Sequence, residues 1–302
     1  MARTLHYTIL DVFAEQALEG NPLAVFHDGR SLSDDEMQAL ARELNLAETT
    51  FVRPNDDPEL DRAQGVRVRI FTTEEELPFA GHPTLGTSSW VYFNHAALAG
   101  ARSMTLRLNV GPIEVTFDER AAGEEGVRAT MQQKDPVFGA KPDRAEVARA
   151  IDLAQDDLFE GYAPQIVSTG MPFCIVALRS LEALGRLAMV QTTAQPWLAA
   201  NAAKFFYCIA PTGKSTAPQW RARMQFCGRE DPATGSAAGC CIAWLLQAGL
   251  AASGVAVEIE QGIEMMRPSR ITASALLVDG AVKDVRVSGR TIPVARGSFF
   301  LP

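Results

Sequence analysis

Histidine and cysteine are scarce in this chain, with four His and five Cys among 302 residues. No two histidines have HExxH spacing and no two cysteines form CxxC, so zinc and dithiol chemistry lack sequence support. The cysteines are Cys174, Cys208, Cys227, Cys240 and Cys241, an odd number that argues against a disulfide framework. Adjacent Cys240 and Cys241 read as small buried residues of an Ala-rich helix. No thiol has an activating partner close in sequence. GxGxxG is absent, which removes the dinucleotide fingerprint. No apolar run reaches the roughly 18 residues of a membrane span. Positive charge is in deficit: 28 Lys and Arg against 36 Asp and Glu give a net charge of -8. Such a chain offers no broad basic face to phosphates, so nucleic acid is not an expected partner. The opening MARTLHYTILDVF lacks the basic region, apolar core and cleavage site of a secretory signal, and a cytoplasmic location is expected.

What is present is a core. Hydrophobic residues make up 47% and charged residues 21%, a balance that excludes wholesale disorder. The length fits two domains of about 150 residues each. LHYTILDVF reads as a strand, followed by a turn at Glu19-Gly20-Asn21-Pro22 and a second strand, LAVF. Ser33 and Glu36 have capping-box spacing, and Met37, Leu40, Ala41 and Leu44 then recur at helical period. VRVRIF, MTLRLNV and IEVTF read as strands. FAGHPTLGTSSWVYF reads as a glycine turn running into a helix. The acidic stretch DERAAGEEG, 118–126, is taken as the boundary between an N-terminal lobe, 1–120, and a C-terminal lobe, 121–302. A long hairpin loop is the alternative for that stretch. Beyond it, VRATMQQ reads as a strand, and DRAEVARAIDL and LEALGRLAMV as helices. QIVSTGMPFCIVAL reads as a strand pair, and FFYCIA, RARMQFC, VAVEIEQG, SRITASALLV and VKDVRVSGRTIPVARGSFF as further strands. No βαβ repeat of the Rossmann kind is legible.

The two halves echo each other. Phe79 to Gly86, FAGHPTLG, and Glu230 to Ala237, EDPATGSA, each precede an apolar helix. Each places His82 or Asp231 directly before a proline, a residue suited to the first helical position. Free N–H groups of a first helical turn hold anions. Two such mouths facing each other would grip a small carboxylate. Glu48, in NLAETTFV, has apolar neighbours that favour proton exchange near neutrality, although a lone Glu is ordinarily a solvated residue. His82 sits in a glycine-flanked turn, where a neutral imidazole is favoured over imidazolium. A purely structural role is its alternative. Asp231 reads either as a cap or Asx turn, or as a carboxylate that polarises substrate. Ser236 reads as a first-turn cap or as a substrate contact.

The segments GNPLAVF, NLAETTFV, ELPFAGHPTLGT, VSTGMPF, EDPATGSAAG and EQGIEMMRPS occur in order and together resemble the PhzF-like phenazine-biosynthesis family, of the diaminopimelate-epimerase-like fold. The resemblance spans about residues 7 to 295. It implies an α+β fold of two lobes related by a pseudo-twofold axis, each a β-barrel-like sheet around a central helix. It also implies a homodimer and an isomerase that works without a cofactor or metal. The substrate class so implied is a small cyclic amino or hydroxy acid, trans-2,3-dihydro-3-hydroxyanthranilate in the best-understood branch. A Glu carries the proton there from C3 to C1. By position in the motifs that Glu is Glu48, with His82 and Asp231 as further catalytic residues. Ser236, Thr234 and the backbone around Gly81 and Gly235 fall to substrate binding. Related racemases carry two cysteines, which would stand at Ala80 and Thr234; neither is Cys here. Two alternatives remain: an epimerase or lyase with a single Glu base, and a catalytically silent small-molecule-binding protein.

Overall fold

The computed structural model describes residues 3–121, 123–214, 216–217, 219–226 and 228–301. Cys227 lies outside the described residues. The chain forms two compact units, Met1–Gln132 with Ser288–Pro302, and Gln133–Val287.

The first unit contains β1 (Arg3–Val12), β2 (Asn21–Phe26), α1 (Asp34–Leu44), β3 (Thr49–Arg53), α2 (Pro58–Gln64), β4 (Val66–Phe71) and β5 (Glu76–Leu77). It continues with α3 (Gly81–Asn94), β6 (Ser103–Leu108), β7 (Gly111–Phe117) and β8 (Val127–Gln132). The second unit contains β9 (Val137–Phe138), α4 (Arg144–Ala150), β10 (Gln165–Ser168), β11 (Pro172–Ala177), α5 (Leu181–Gly185), α6 (Gln191–Ala200), β12 (Phe205–Pro211) and β13 (Trp220–Arg223). It ends with β14 (Gln225–Phe226), β15 (Arg229–Glu230), α7 (Gly235–Gln247), β16 (Val257–Gln261) and β17 (Ser269–Val278). The long final strand β18 (Ala281–Leu301) begins in the second unit and finishes in the first. No helix among the described residues is long and apolar enough to cross a membrane.

In the first unit the sheet order is β1-β2-β3-β4-β6-β7-β8-β18, and β18 pairs with β1 to close an eight-strand barrel-like ring. Its pairings alternate: β1–β2 is antiparallel, β2–β3 parallel, β3–β4 antiparallel, β4–β6 parallel and β6–β7 antiparallel. The second unit repeats this alternation. There β10–β11 is antiparallel, β11–β12 parallel, β12–β13 antiparallel, β13–β16 parallel and β16–β17 antiparallel. In each unit one parallel pair is bridged by a long buried helix, α3 between β4 and β6 and α7 between β13 and β16. A parallel pair cannot be joined by a tight turn, and each crossover here carries its helix against the sheet.

Each central helix is buried on every side over most of its length, from Gly81 to Val91 and from Gly235 to Leu246. Such a helix must hide its polar side chains. In α3 the hydroxyls of Thr84 and Ser89 donate to carbonyls one turn back, Ala80 O at 2.7 Å and Leu85 O at 2.8 Å. Thr87 donates to Thr50 Oγ1 at 2.8 Å, which ties α3 to β3. In α7 the small residues of GSAAGCC allow close packing.

Helix α1 forms because its ends and one face agree. Ser33 and Glu36 make the reciprocal capping box, and Met37, Leu40 and Ala41 are buried. They join Phe26, Phe51 and Phe71 in one core cluster, with the Phe26 and Phe51 rings stacked at 4.8 Å. Burying side chains of this size is worth about 1.5–3 kcal/mol each. The helix stops at Asn45, in the left-handed conformation at φ 50°. Three further residues bring the chain through Glu48 into β3.

Several expectations change. The stretch 118–126 is the connection of the β7–β8 hairpin, because β7 and β8 pair antiparallel with Val115 opposite Met131. The hairpin alternative therefore holds, and the units divide at Gln132 rather than at residue 120. Residues 288–302 return to the first unit, since β18 pairs with β1 from Leu301 opposite Arg3 to Thr291 opposite Val12. LEALGRLAMV is helical only over Leu181–Gly185. Parallel pairs with helical crossovers do occur, each alternating with an antiparallel pair rather than forming one parallel sheet.

Candidate active site

In the first unit the structure brings Glu48 and His82 together. His82 is the second residue of α3, after the N-cap Ala80 and Gly81. Pro83 is therefore the third helical residue, not the first, and His82 belongs to the helix rather than to a turn before it. Its side chain is buried, and Nε2 stands 3.6 Å from Glu48 Oε2. Burial pushes the His82 imidazole down to about 3. The ring is therefore neutral at physiological pH, and the contact with Glu48 is not an ion pair despite its distance. At 3.6 Å it is also longer than a hydrogen bond. Nε2 has no hydrogen-bond partner among the described residues, while Nδ1 lies 3.3 Å from Asn21 Nδ2. The Glu48 side chain keeps 17% of its exposure.

In the second unit Asp231, Thr234, Gly235 and Ser236 fall on one turn leading into α7. Thr234 is the N-cap, Gly235 the first helical residue and Ser236 the second. Asp231 is not the cap; it and Pro232 precede the helix. By place in the helix, the counterpart of His82 is Ser236, and the counterpart of Ala80 is Thr234. Neither α3 nor α7 has its first turn capped by its N-cap side chain.

The turn is held by a residue to which the sequence reading gave no role. Gln261, at the end of β16 and fully buried, donates from Nε2 to Asp231 O at 2.8 Å and to Thr234 Oγ1 at 2.9 Å. Its Oε1 accepts from Thr234 N at 3.2 Å and from the Tyr207 hydroxyl at 3.1 Å. The Thr234 hydroxyl, having accepted from Gln261, donates to Asp231 Oδ2 at 2.6 Å. Each proton in this chain has one direction, so Asp231 receives it on an acceptor oxygen. Burial pushes the Tyr207 phenol far up, which keeps it a donor. Upstream, Arg223 grips Glu230, the residue before Asp231, through two bonds of 2.8 and 2.7 Å. Gln261 lies in the motif EQGIEMMRPS, the signal that could have marked it; Asn21 lies likewise in GNPLAVF.

The described cysteines are buried and stand apart from this chemistry. Desolvation raises Cys240 to about 11 and Cys208 to about 12, so neither is a thiolate near neutrality. Cys240 and Cys241 are helix-core residues, as their Ala-rich surroundings indicate.

The depressed His82 predicts acid sensitivity. Unfolded His titrates near 6.5, while the folded ring holds out to about 3. Between these values the unfolded state binds the extra proton. This group's contribution to stability is complete above about pH 6.5 and lost as pH falls toward 3. Urea unfolding at about pH 7 and pH 5 should show the wild type losing about 2 kcal/mol more than His82→Gln over that interval. Equal losses in the two proteins would show that His82 is not held neutral by burial.

A buried neutral imidazole in the first turn of an interior helix thus stands beside a carboxylate carried on the segment that leads into β3. The chain belongs to the PhzC–PhzF family of phenazine biosynthesis-like proteins, whose pattern matches residues 10–297. It is an isomerase of the PhzF-like kind. It is 36% identical to the trans-2,3-dihydro-3-hydroxyanthranilate isomerase of Pseudomonas aeruginosa, covering 98% of this chain and 99% of that one. It is 33% identical to an uncharacterized isomerase of Mesorhizobium japonicum, covering 99% and 100%. Among solved structures, a predicted epimerase of Pseudomonas aeruginosa superposes with a TM-score of 0.82 at 37% identity, covering 98% of this chain and 99% of the other. A PhzF-family protein of Bacillus anthracis shares the fold at a TM-score of 0.83 and 21% identity, covering 99% and 100%.

Proposed function

We propose that this isomerase moves a proton by general acid–base catalysis on a small cyclic amino or hydroxy acid, with trans-2,3-dihydro-3-hydroxyanthranilate as the substrate to test. The observation that carries the reading is the Glu48 carboxylate at 3.6 Å from a buried, neutral imidazole. In this reading Glu48 takes the proton from C3 of the substrate and becomes a carboxylic acid. It then returns that proton to C1, and the enol so formed tautomerises to the ketone. His82 stays neutral and orients the substrate by hydrogen bonding. Asp231, Ser236, Thr234 and the backbone at Gly81 and Gly235 hold the substrate carboxylate and its polar groups. The uncapped first turns of α3 and α7 support this, because free N–H groups at a helix start favour an anion.

The family motifs support two lobes of similar fold. The matching alternation of strand pairings in the units agrees with a duplicated fold. A single-base mechanism is favoured over a two-thiol racemase, since Ala80 and Thr234 occupy the N-caps where thiols would stand. A homodimer working in the cytoplasm belongs to the same reading, and sedimentation of the purified protein tests the dimer.

The deciding experiment is incubation with trans-2,3-dihydro-3-hydroxyanthranilate in deuterated solvent, followed by mass and NMR analysis. Conversion to the keto isomer is expected. Exchange at one carbon with no change of skeleton would instead mark an epimerase, and unchanged, unexchanged substrate would remove this substrate from the proposal.

A further inference from the structure

We propose that Asn21 sets the tautomer of His82, keeping its single ring proton on Nε2, the nitrogen that faces Glu48. This makes Asn21 a positioning residue for the acid–base pair, a role that rests on the reading of Glu48 and His82 given above.

The argument begins with the strand. β1 and β2 pair antiparallel with Asn21 opposite Val12, which places the first residue of β2 inside the barrel with no exposure. A buried amide must find partners. Asn21 Nδ2 lies 3.3 Å from His82 Nδ1, across a sequence gap of 61 residues. An amide NH₂ only donates, so Nδ1 has to accept. A neutral imidazole carries one N–H, and burial keeps this ring neutral. With Nδ1 accepting, the proton sits on Nε2.

The far side of the ring points to the same state. Nε2 stands 3.6 Å from Glu48 Oε2. An N–H there faces a negative acceptor, whereas the other tautomer would aim a lone pair at a carboxylate in a poorly solvated place. Turning the Asn21 amide over would demand that second, repulsive arrangement. The amide orientation and the carboxylate thus agree on one tautomer. The consequence is functional: His82 can offer a hydrogen bond only from the Glu48 side, where substrate is handled. It cannot serve there as a second base.

Ring nitrogen spectroscopy tests this without substrate. In ¹⁵N-labelled wild-type protein, two-bond ¹H–¹⁵N correlations of His82 should show a protonated Nε2 and an unprotonated Nδ1. A proton on Nδ1, or one averaging between the nitrogens, overturns the proposal with no variant needed. Asn21→Asp puts an acceptor in place of the donor and should move the proton to Nδ1. Retention on Nε2 in that folded variant would show that Asn21 is not the determinant. Glu48→Ala removes the carboxylate, and the proton should remain on Nε2. Its loss from Nε2 there would assign the tautomer to Glu48 instead. Since the readout is the ring itself, absence of turnover on trans-2,3-dihydro-3-hydroxyanthranilate would count against the proposed function and leave this inference standing or falling separately.

Discussion

Glu48→Gln should lose turnover of trans-2,3-dihydro-3-hydroxyanthranilate by about 10²–10⁴-fold, the usual cost of removing a general acid–base group. Gln keeps the size and much of the hydrogen bonding of Glu but has no oxygen basic enough to hold the proton in transit. Substrate affinity should change little, because the holding groups lie elsewhere. Stability should also change little. Glu48 is partly exposed, and the His82 imidazole beside it is neutral, so His82 loses no counterion. Glu48→Asp should be impaired as well. Its carboxylate retracts by one methylene, and proton transfer needs a reach of about 2.6–3.2 Å. Steady-state kinetics of both variants beside His82→Ala decide the matter. Near-wild-type turnover by the Gln variant would take Glu48 out of the mechanism and leave His82 as the group to examine.

The residues differ in how openly the sequence declares them. The Ser33–Glu36 box and the apolar period of Met37, Leu40 and Ala41 are local, and α1 lies where they predict. Strands β4, β6 and β7 were legible because each is short, β-branched or apolar, and bounded by turns. Helix α2 was not read, although Asp57 caps it and Pro58 opens it, because its polar body resembles a loop. Helix α6 escaped because Pro196 stands inside it, where a proline normally ends a helix. The return of the C-terminal segment to the first unit is non-local: nothing in residues 288–301 announces that they pair with the first strand of the chain. The same limit applies to the site. Glu48 and His82 were visible as motif residues, but their 3.6 Å approach comes from the barrel bringing the entry to β3 beside the start of α3. Asn21 and Gln261 sit in legible motifs, yet what they touch is set by strand register, which no local pattern prints.

Gly262→Ala should be among the most destabilising single-methyl additions in the chain, and it should disturb the Asp231 turn. Gly262 follows Gln261 directly and has φ +76°. A Cβ there would lie 2.3 Å from Arg267 O and 2.7 Å from Pro232 O, both backbone atoms. Backbone cannot swing aside as a side-chain tip can. Two costs combine. The left-handed conformation disfavours any Cβ by about 1–2 kcal/mol, and forcing atoms into a packed region costs about 1–3 kcal/mol more. Gly280→Ala separates them, because Gly280 has φ +80° with nothing within 4 Å of the added carbon. It should show only the first cost. The second cost falls on a particular place. Relief of the clash pushes Pro232 away from β16, and Pro232 is flanked by Asp231 and followed two residues on by Thr234, the groups that Gln261 holds. The expected result is a urea midpoint lower for Gly262→Ala than for Gly280→Ala. Turnover of the folded Gly262→Ala protein should also fall, while that of Gly280→Ala stays at the wild-type value. Equal midpoints would mean that the close approach of Gly262 to Pro232 does not hold the turn. A lower midpoint with unchanged turnover would mean that the position of Asp231 does not matter to the reaction.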